Sequence, residues 1–133
     1  MWTVLLLTAV LQAAPGATCR SMGLDPPRSW QFRKAGATWE VTHWRGAAIK
    51  ESTRVALPAS ASVQMTGEAV SVRARTSNGG IDVTLTGTPA QARLDIYVSY
   101  ELEVNVDASL TPAIDELNTD GPIGVRCEVT GNR

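Results

Sequence analysis

Two alternating segments separated by an Asn-Gly dipeptide constrain the fold more than any other feature of this chain. Apolar and polar residues alternate over residues 70–75 and again over residues 81–86, with Asn-Gly at positions 78–79 between them. This alternation is typical of strands with one buried face, and Asn-Gly favours the two-residue turns that join antiparallel strands. A two-residue loop fixes the register, so Arg75 faces Asp82 on one side of the hairpin. The same register pairs Ala74 with Val83 and Val72 with Leu85 on the other side.

A long run of even-numbered apolar residues follows this hairpin. The run begins at Leu94 and continues to Val106, with polar residues at the odd positions between. A single strand of that length exceeds the usual range, so we expect a bend or bulge near Ser99. The outward face of the run between residues 101 and 107 is acidic, which is typical of a solvated face that discourages edge pairing.

The first third of the segment after residue 17 contains three tryptophans, and alternation over residues 39–42 predicts a strand there. Large aromatic side chains dominate small cores, so we expect one or two of these residues to fill the end of the core. The alternative is that they line a ligand surface. The candidate ligand-binding residues are therefore Trp30, Trp39 and Trp44.

Shorter elements are predicted elsewhere. Residues 47–57 form either a short helix or a strand near 53–57, and a further apolar alternation precedes a turn at Gly67. Thr111 followed by Pro112 is typical of a helix start, so we expect one short helical turn at residues 112–117. Residues 116–127 match the spacing of a calcium loop only in part, and an ordinary Asx-rich turn accounts for them.

These segments together predict an all-β fold, either a small antiparallel β-sandwich or a stack of β-strand repeats. The 133 residues suit a single core, and 44% hydrophobic with 19% charged residues is close to globular averages. We expect residues 18–133 to form a single β-rich domain.

Residues 1–17 have the pattern of a secretory signal peptide. An apolar run over residues 4–11 precedes the small-residue stretch Ala13-Ala14-Pro15-Gly16-Ala17. The run is too short to cross a bilayer core of about 30 Å, so no membrane span is expected after cleavage. We predict an exported protein, either periplasmic or extracellular.

Export determines how the two cysteines are interpreted. Cys19 and Cys127 are the only cysteines and lie near the two ends of the exported segment. In an oxidising compartment they are expected to form a disulfide that joins those ends.

No pattern for catalysis, metal binding or cofactor binding is present. The formal net charge of −1 excludes the broad basic field on which nucleic-acid affinity normally rests. His43 is the single histidine, and it shares the parity of Trp39 and Val41, which favours a position at the edge of the core. We predict a non-enzymatic protein with no catalytic residues, metal ligands or cofactor.

The hairpin turn also carries a family resemblance. The segment TSNGGIDV at residues 76–83 recurs in a weaker form as NTDGPIGV at residues 118–125. It resembles the turn of a bacterial adhesin-like repeat family with Thr-Ser-Asn-Gly turns, mainly over residues 66–87. The resemblance implies an envelope-associated surface or scaffold protein and carries no catalytic residues.

Two functions follow from these observations. The first is an exported, non-enzymatic β-domain that acts as a cell-envelope surface, binding or structural protein, with an envelope protein or a surface ligand as its partner. The alternative is a small-ligand carrier with an apolar barrel interior, lined by the even-numbered residues of 94–106 and by Trp39 or Trp44.

Overall fold

A computed structural model describes residues 15–23, 26–46, 53–77, 80–99 and 117–130. These residues form nine β-strands and no α-helix, which confirms the all-β prediction. The strands are β1 (Gly16–Ser21), β2 (Arg28–Ala35), β3 (Thr38–Arg45), β4 (Thr53–Ala56), β5 (Ser62–Met65), β6 (Val70–Arg75), β7 (Ile81–Thr88), β8 (Gln91–Val98) and β9 (Ile123–Thr130).

All nine strands belong to one hydrogen-bonded sheet. Their order is β4-β3-β2-β1-β9-β8-β7-β6-β5, and every neighbouring pair is antiparallel. Consecutive strands are therefore neighbours, except β4 and β5, which lie at the two edges, and the last strand, β9, also pairs with the first, β1. The sequence left a two-sheet sandwich and a stack of repeats open, whereas the structure has a single continuous sheet.

The two outermost strands of the sheet, β4 and β5, are consecutive in the chain and run in the same direction. Leu57 N donates to Trp39 O over 2.8 Å, which extends the pairing of β4 with β3. Ala61 N then donates to Pro58 O over 2.9 Å and closes a turn, after which β5 pairs with β6. The pair β4 and β5 thus acts as one interrupted strand, and the strand order is that of a closed up-and-down meander with eight strands.

One face of this sheet carries the hydrophobic core. Each strand contributes its alternate residues to a single cluster of buried side chains, as the period of two requires. The largest side chains that are essentially inaccessible are Trp30, Phe32, Val41, Val70, Val72, Ile81, Val83, Leu85, Leu94, Ile96 and Leu117.

The predicted hairpin is confirmed in its register. Strands β6 and β7 pair Arg75 with Asp82, Ala74 with Val83 and Val72 with Leu85. The turn residues 78–79 lie outside the described residues.

The predicted strands on either side of the hairpin are confirmed in part. Residues 39–42 lie within β3, and residues 53–56 form a strand, because they pair with the adjacent edge of β3. Strand β8 ends at Val98, and Ser99 N donates to Gly80 O over 2.9 Å. The continuation of this run to Val106 lies outside the described residues, and so does the helical turn predicted at 112–117 apart from its last residue, Leu117.

Strand β1 begins just before the predicted start of the exported segment. Gly16 and Ala17 precede Thr18, the expected first residue, and Ala17 is buried against the core. Residues 1–14, which contain the apolar run of the predicted signal peptide, lie outside the described residues. Within the described ranges, no helix has the length and hydropathy needed to span a membrane.

The connections between strands are unequal at the two ends of the sheet. Because neighbouring strands are antiparallel, successive connections alternate between these ends. One end, the short-connection end, has the turns at 36–37, 66–69 and 89–90. The opposite end, the long-connection end, has the connections 22–27, 46–52, 76–80 and 99–122. Binding residues concentrate in loops held by a rigid scaffold, so the long-connection end is the first place to look for a site.

Candidate functional site

The disulfide between Cys19 and Cys127 joins the first and last strands, as the sequence predicted. The two residues are directly opposite in the pairing of β1 with β9, and their Cα atoms are 4.0 Å apart. Cys127 N donates to Pro89 O over 2.7 Å, so its backbone groups are directed away from β1. The two cysteines therefore occupy a non-hydrogen-bonded pair, the kind in which opposed side chains lie closest.

A buried polar cluster lies at the long-connection end, and its centre is the guanidinium of Arg28. This side chain is half-buried at the start of β2. Its Nε donates to His43 Nε2 over 3.1 Å, and its NH2 group donates to Asn118 O over 2.9 Å. One side chain therefore connects β2, β3 and the segment before β9.

Trp30 forms the apolar wall of this cluster. Its ring is inaccessible to solvent, and the guanidinium carbon of Arg28 lies 4.6 Å from the ring centroid. Its indole Nε1 donates to Leu117 O over 3.1 Å, and the ring centroids of Trp30 and His43 are 5.1 Å apart. A buried indole needs such an acceptor, because an unpaired buried N–H is costly.

The environment of His43 is that of a structural histidine. The residue is 2% exposed and lies on the same face of β3 as Val41, as its parity predicted. An arginine N–H always donates, so His43 Nε2 accepts in this contact. The imidazole thus links β3 to the start of β2.

Residues 118 and 119 attach the segment before β9 to the end of β8. Asn118 Oδ1 accepts from Val98 N over 2.7 Å, and Thr119 Oγ1 accepts from Ile96 N over 3.0 Å. Asp120 and Gly121 follow with positive φ angles of 58° and 99°, which form the turn into β9. The Asx-rich stretch of the sequence therefore forms a turn, and the side chains just before the turn attach it to β8. In the described part of the chain, no group of three or more His, Cys, Asp or Glu side chains is placed to hold a metal ion.

The three candidate tryptophans occupy different environments. Trp30 is in the core, and Trp39 is half-buried against the core from β3. Trp44 is also on β3 but has the opposite parity, and it faces Ser29 on the outward side of the sheet. The three rings therefore do not form one surface, since two are on the inward face and one is on the outward face. Ligand binding by any of them stays a prediction.

Sequence reasoning missed Arg28 and the accepting carbonyl of Asn118. These two residues are 90 positions apart, and no motif relates them. The available signal is weak: an arginine begins a strand whose third residue is a tryptophan, and an Asn-Thr pair precedes a turn. The contact depends on the arrangement of β2 beside β1 and of β8 beside β9.

The fold and the polar cluster define a disulfide-linked, all-β protein with an antiparallel up-and-down sheet. No family model, curated protein or solved structure matches this chain. The resemblance of residues 66–87 to adhesin-like repeats stays a prediction.

Proposed function

We propose that this chain is an exported, non-enzymatic β-domain that acts at the cell envelope as a surface, binding or structural protein. The observation that carries the proposal is the disulfide between Cys19 and Cys127. Disulfides form and persist in oxidising compartments, and those compartments are reached by export. The apolar run of residues 4–11, followed by small residues, supports the same location.

The position of the disulfide suits a protein that works outside the cytoplasm. It links strands whose cysteines are separated by 108 positions, so it joins the two ends of the described domain. Fraying and proteolysis begin preferentially at untethered termini. A covalent link between the first and last strands opposes both, which favours persistence at the envelope.

A binding or structural role is supported better than catalysis by the polar cluster. Arg28 donates to His43 and to Asn118, and its guanidinium lies over the ring of Trp30. Such contacts hold strands and a long connection together. The adhesin-like turn at residues 76–83 supports surface association as the role of this scaffold.

The second candidate function is a small-ligand carrier. Its support is the closed meander order of the strands, with the long connections gathered at one end. An eight-strand antiparallel arrangement is just wide enough to be filled by side chains or to hold one small ligand. We rank it second because the inward residues of the described strands pack into one cluster, with Trp30, Phe32 and Leu94 at 0% exposure.

Native mass spectrometry of the full chain, purified without reduction from the exported fraction of its host, tests both candidates. The proposal predicts an exported chain that has lost a leader of about 17 residues. Its mass is expected to be lower than the reduced mass by two hydrogens. A variant with Cys19→Ser and Cys127→Ser is the matched control, because it cannot lose those hydrogens.

Each other outcome has a definite meaning. A chain that keeps Met1 and stays in the cytoplasmic fraction contradicts export. Additional mass that is lost on denaturation replaces the first candidate with the carrier. A substrate screen tests the absence of catalysis. An activity of the parent protein that is lost when His43 is replaced by Ala contradicts a non-enzymatic role.

A further inference from the structure

Two arginines face each other on the outward side of the pairing between β1 and β9. Arg20 and Arg126 are directly opposite in register, and both are exposed. Like charges at opposed cross-strand positions destabilise a sheet. Among the described residues, neither guanidinium has a hydrogen bond or an ion pair that would offset this repulsion.

The disulfide holds this unfavourable pair in place. Cys19 immediately precedes Arg20, and Cys127 immediately follows Arg126, on the opposite face of the same strands. A shift of the register would separate the two guanidiniums, but the covalent bond beside them forbids it. The backbone positions of the two arginines are therefore fixed relative to each other, so a ligand that binds both has only their side chains to order.

The two arginines line an open groove of about 410 Å³. This volume lies within the range of small-molecule sites, about 300–1,000 Å³. Glu128 is the single carboxylate among the lining residues, so the positive charge of the groove exceeds its negative charge. Met22 lines the same groove and is 49% exposed, which provides an apolar surface beside the charged groups.

The positive charge of this groove lies in a chain that is close to neutral overall. The formal net charge is −1, so the opposed arginines do not reflect general basicity. A third arginine, Arg93 on β8, is opposite Gly124, two positions before Arg126 on β9. A Cβ at Gly124 would have no atom within 4 Å, so the space beside these arginines is open.

We propose that this groove binds the phosphate of an organic phosphomonoester, with Arg20 and Arg126 donating to the phosphate oxygens and the organic part lying against Met22. The planar fork of a guanidinium matches the oxygens of a phosphate. Glu128 offsets part of the charge of Arg20 and Arg126, and the lining stays net positive. A phosphomonoester carries about −1.5 to −2 charges at neutral pH and three acceptor oxygens, so it accepts from both guanidiniums at once and attracts them more strongly than a singly charged carboxylate does.

Calorimetric titration of the oxidised full chain with phenyl phosphate at low ionic strength tests the proposal. The test variant is Arg126→Gln, and the matched control is Arg75→Gln, an exposed arginine whose Nε lies 3.9 Å from Asp82 Oδ2. Loss of one charge-assisted hydrogen bond predicts binding about tenfold weaker or more in the Arg126 variant. The Arg75 variant is expected to bind as the parent does.

A second measurement separates loss of binding from loss of folding. Without ligand, Arg126→Gln is expected to unfold at the same temperature as the parent or a higher one, because a repulsion has been removed. Phenyl phosphate is expected to raise the unfolding midpoint of the parent and to leave that of the variant nearly unchanged.

Several results overturn the proposal. These are no binding of phenyl phosphate by the parent, equal binding by the parent and the Arg126 variant, or benzoate binding as tightly as phenyl phosphate. If inorganic phosphate binds as tightly as phenyl phosphate, the organic group adds nothing to binding. The proposed contact between that group and Met22 is then wrong. If the protein binds vesicles that contain phosphatidic acid but does not bind phenyl phosphate, the phosphate that it recognises belongs to a lipid. The proposal of a soluble phosphomonoester is then wrong.

Discussion

Arg28 Nε donates a hydrogen bond of 3.1 Å to Nε2 of His43, a histidine that is 2% exposed. The same guanidinium reaches the carbonyl of Asn118, so two acceptors depend on one side chain. Hydrogen bonds from a charged donor are stronger than neutral ones, and a buried acceptor left without a donor is costly. The stability of the long-connection end therefore depends on the geometry of Arg28 as well as on its charge.

Substitution of Arg28 by Lys tests this dependence. A lysine keeps the charge but has no planar fork, so it cannot donate to both acceptors in the same geometry. We expect the free energy of unfolding to fall by about 1–3 kcal/mol, measured by urea denaturation. Arg54→Lys is the control, because Arg54 is exposed on β4, and it is expected to change stability by no more than about 0.5 kcal/mol. Equal effects of the two substitutions contradict a special role for Arg28.

The disulfide is expected to make a large contribution to stability. A bridge that closes a loop of about 100 residues stabilises by up to about 4.7 kcal/mol in the chain-entropy description. Reduction of the parent protein, or the double substitution of Cys19 and Cys127 by Ala, should lower the free energy of unfolding by up to about 4.7 kcal/mol. The urea midpoint of unfolding should fall accordingly. If the oxidised and the reduced protein have the same unfolding curve, the prediction is wrong, and the pairing of β1 with β9 is equally stable without the disulfide.

Trp30 and Trp44 provide a matched pair for the indole hydrogen bond. Trp30→Phe removes the donor to the buried carbonyl of Leu117, with an expected loss of about 1–3 kcal/mol. Trp44→Phe, on the outward face, is expected to cost less. Chemical denaturation monitored by circular dichroism measures both. If Trp44→Phe is the more damaging substitution, the assignment of the two faces of β3 is wrong.

Gly87 is expected to tolerate no larger residue. Its φ of 138° is unfavourable for other residues, and a Cβ there would lie 2.6 Å from Gln91 O and 2.7 Å from Ala92 Cα. Both atoms belong to the backbone of the adjacent strand β8, so relief requires the strands to separate.

Gly87→Ala should therefore lower the thermal midpoint, through a backbone strain of about 1–3 kcal/mol in addition to the steric clash. Gly67→Ala is the control, because a Cβ at Gly67 meets nothing within 4 Å. That variant is expected to be as stable as the parent. Unchanged stability of Gly87→Ala contradicts the close approach of β7 and β8 at this point.

Local sequence patterns predicted the strands β3, β6, β7 and β8 and the central hairpin. Alternation and an Asn-Gly turn were sufficient to predict the pairing of Arg75 with Asp82, which the structure confirms. The partners are close in sequence, so turn chemistry alone sets their register. The disulfide was also predictable, because Cys19 and Cys127 are the only two cysteines and have no other partner in the chain.

The candidate site was predictable only in part. Parity placed His43 with Val41 on the inward face, but it did not indicate that Arg28 donates to the histidine. It also did not reveal that Arg20 and Arg126 are opposed, since this depends on the pairing of β1 with β9. Each of these relations joins residues on different strands, and the register between those strands is set by packing.

The sequence by itself determined the all-β class, the register of the central hairpin, the buried face of β3, β6, β7 and β8, and the identity of the cysteine pair. Those features depend on residues a few positions apart, or on there being only one possible pair. Only the tertiary structure decided that β1 pairs with β9, that β4 and β5 form one interrupted strand, and that Arg28 reaches Asn118. Such contacts join distant parts of the chain, and they form only when burial of the shared core offsets the entropy lost in bringing those parts together.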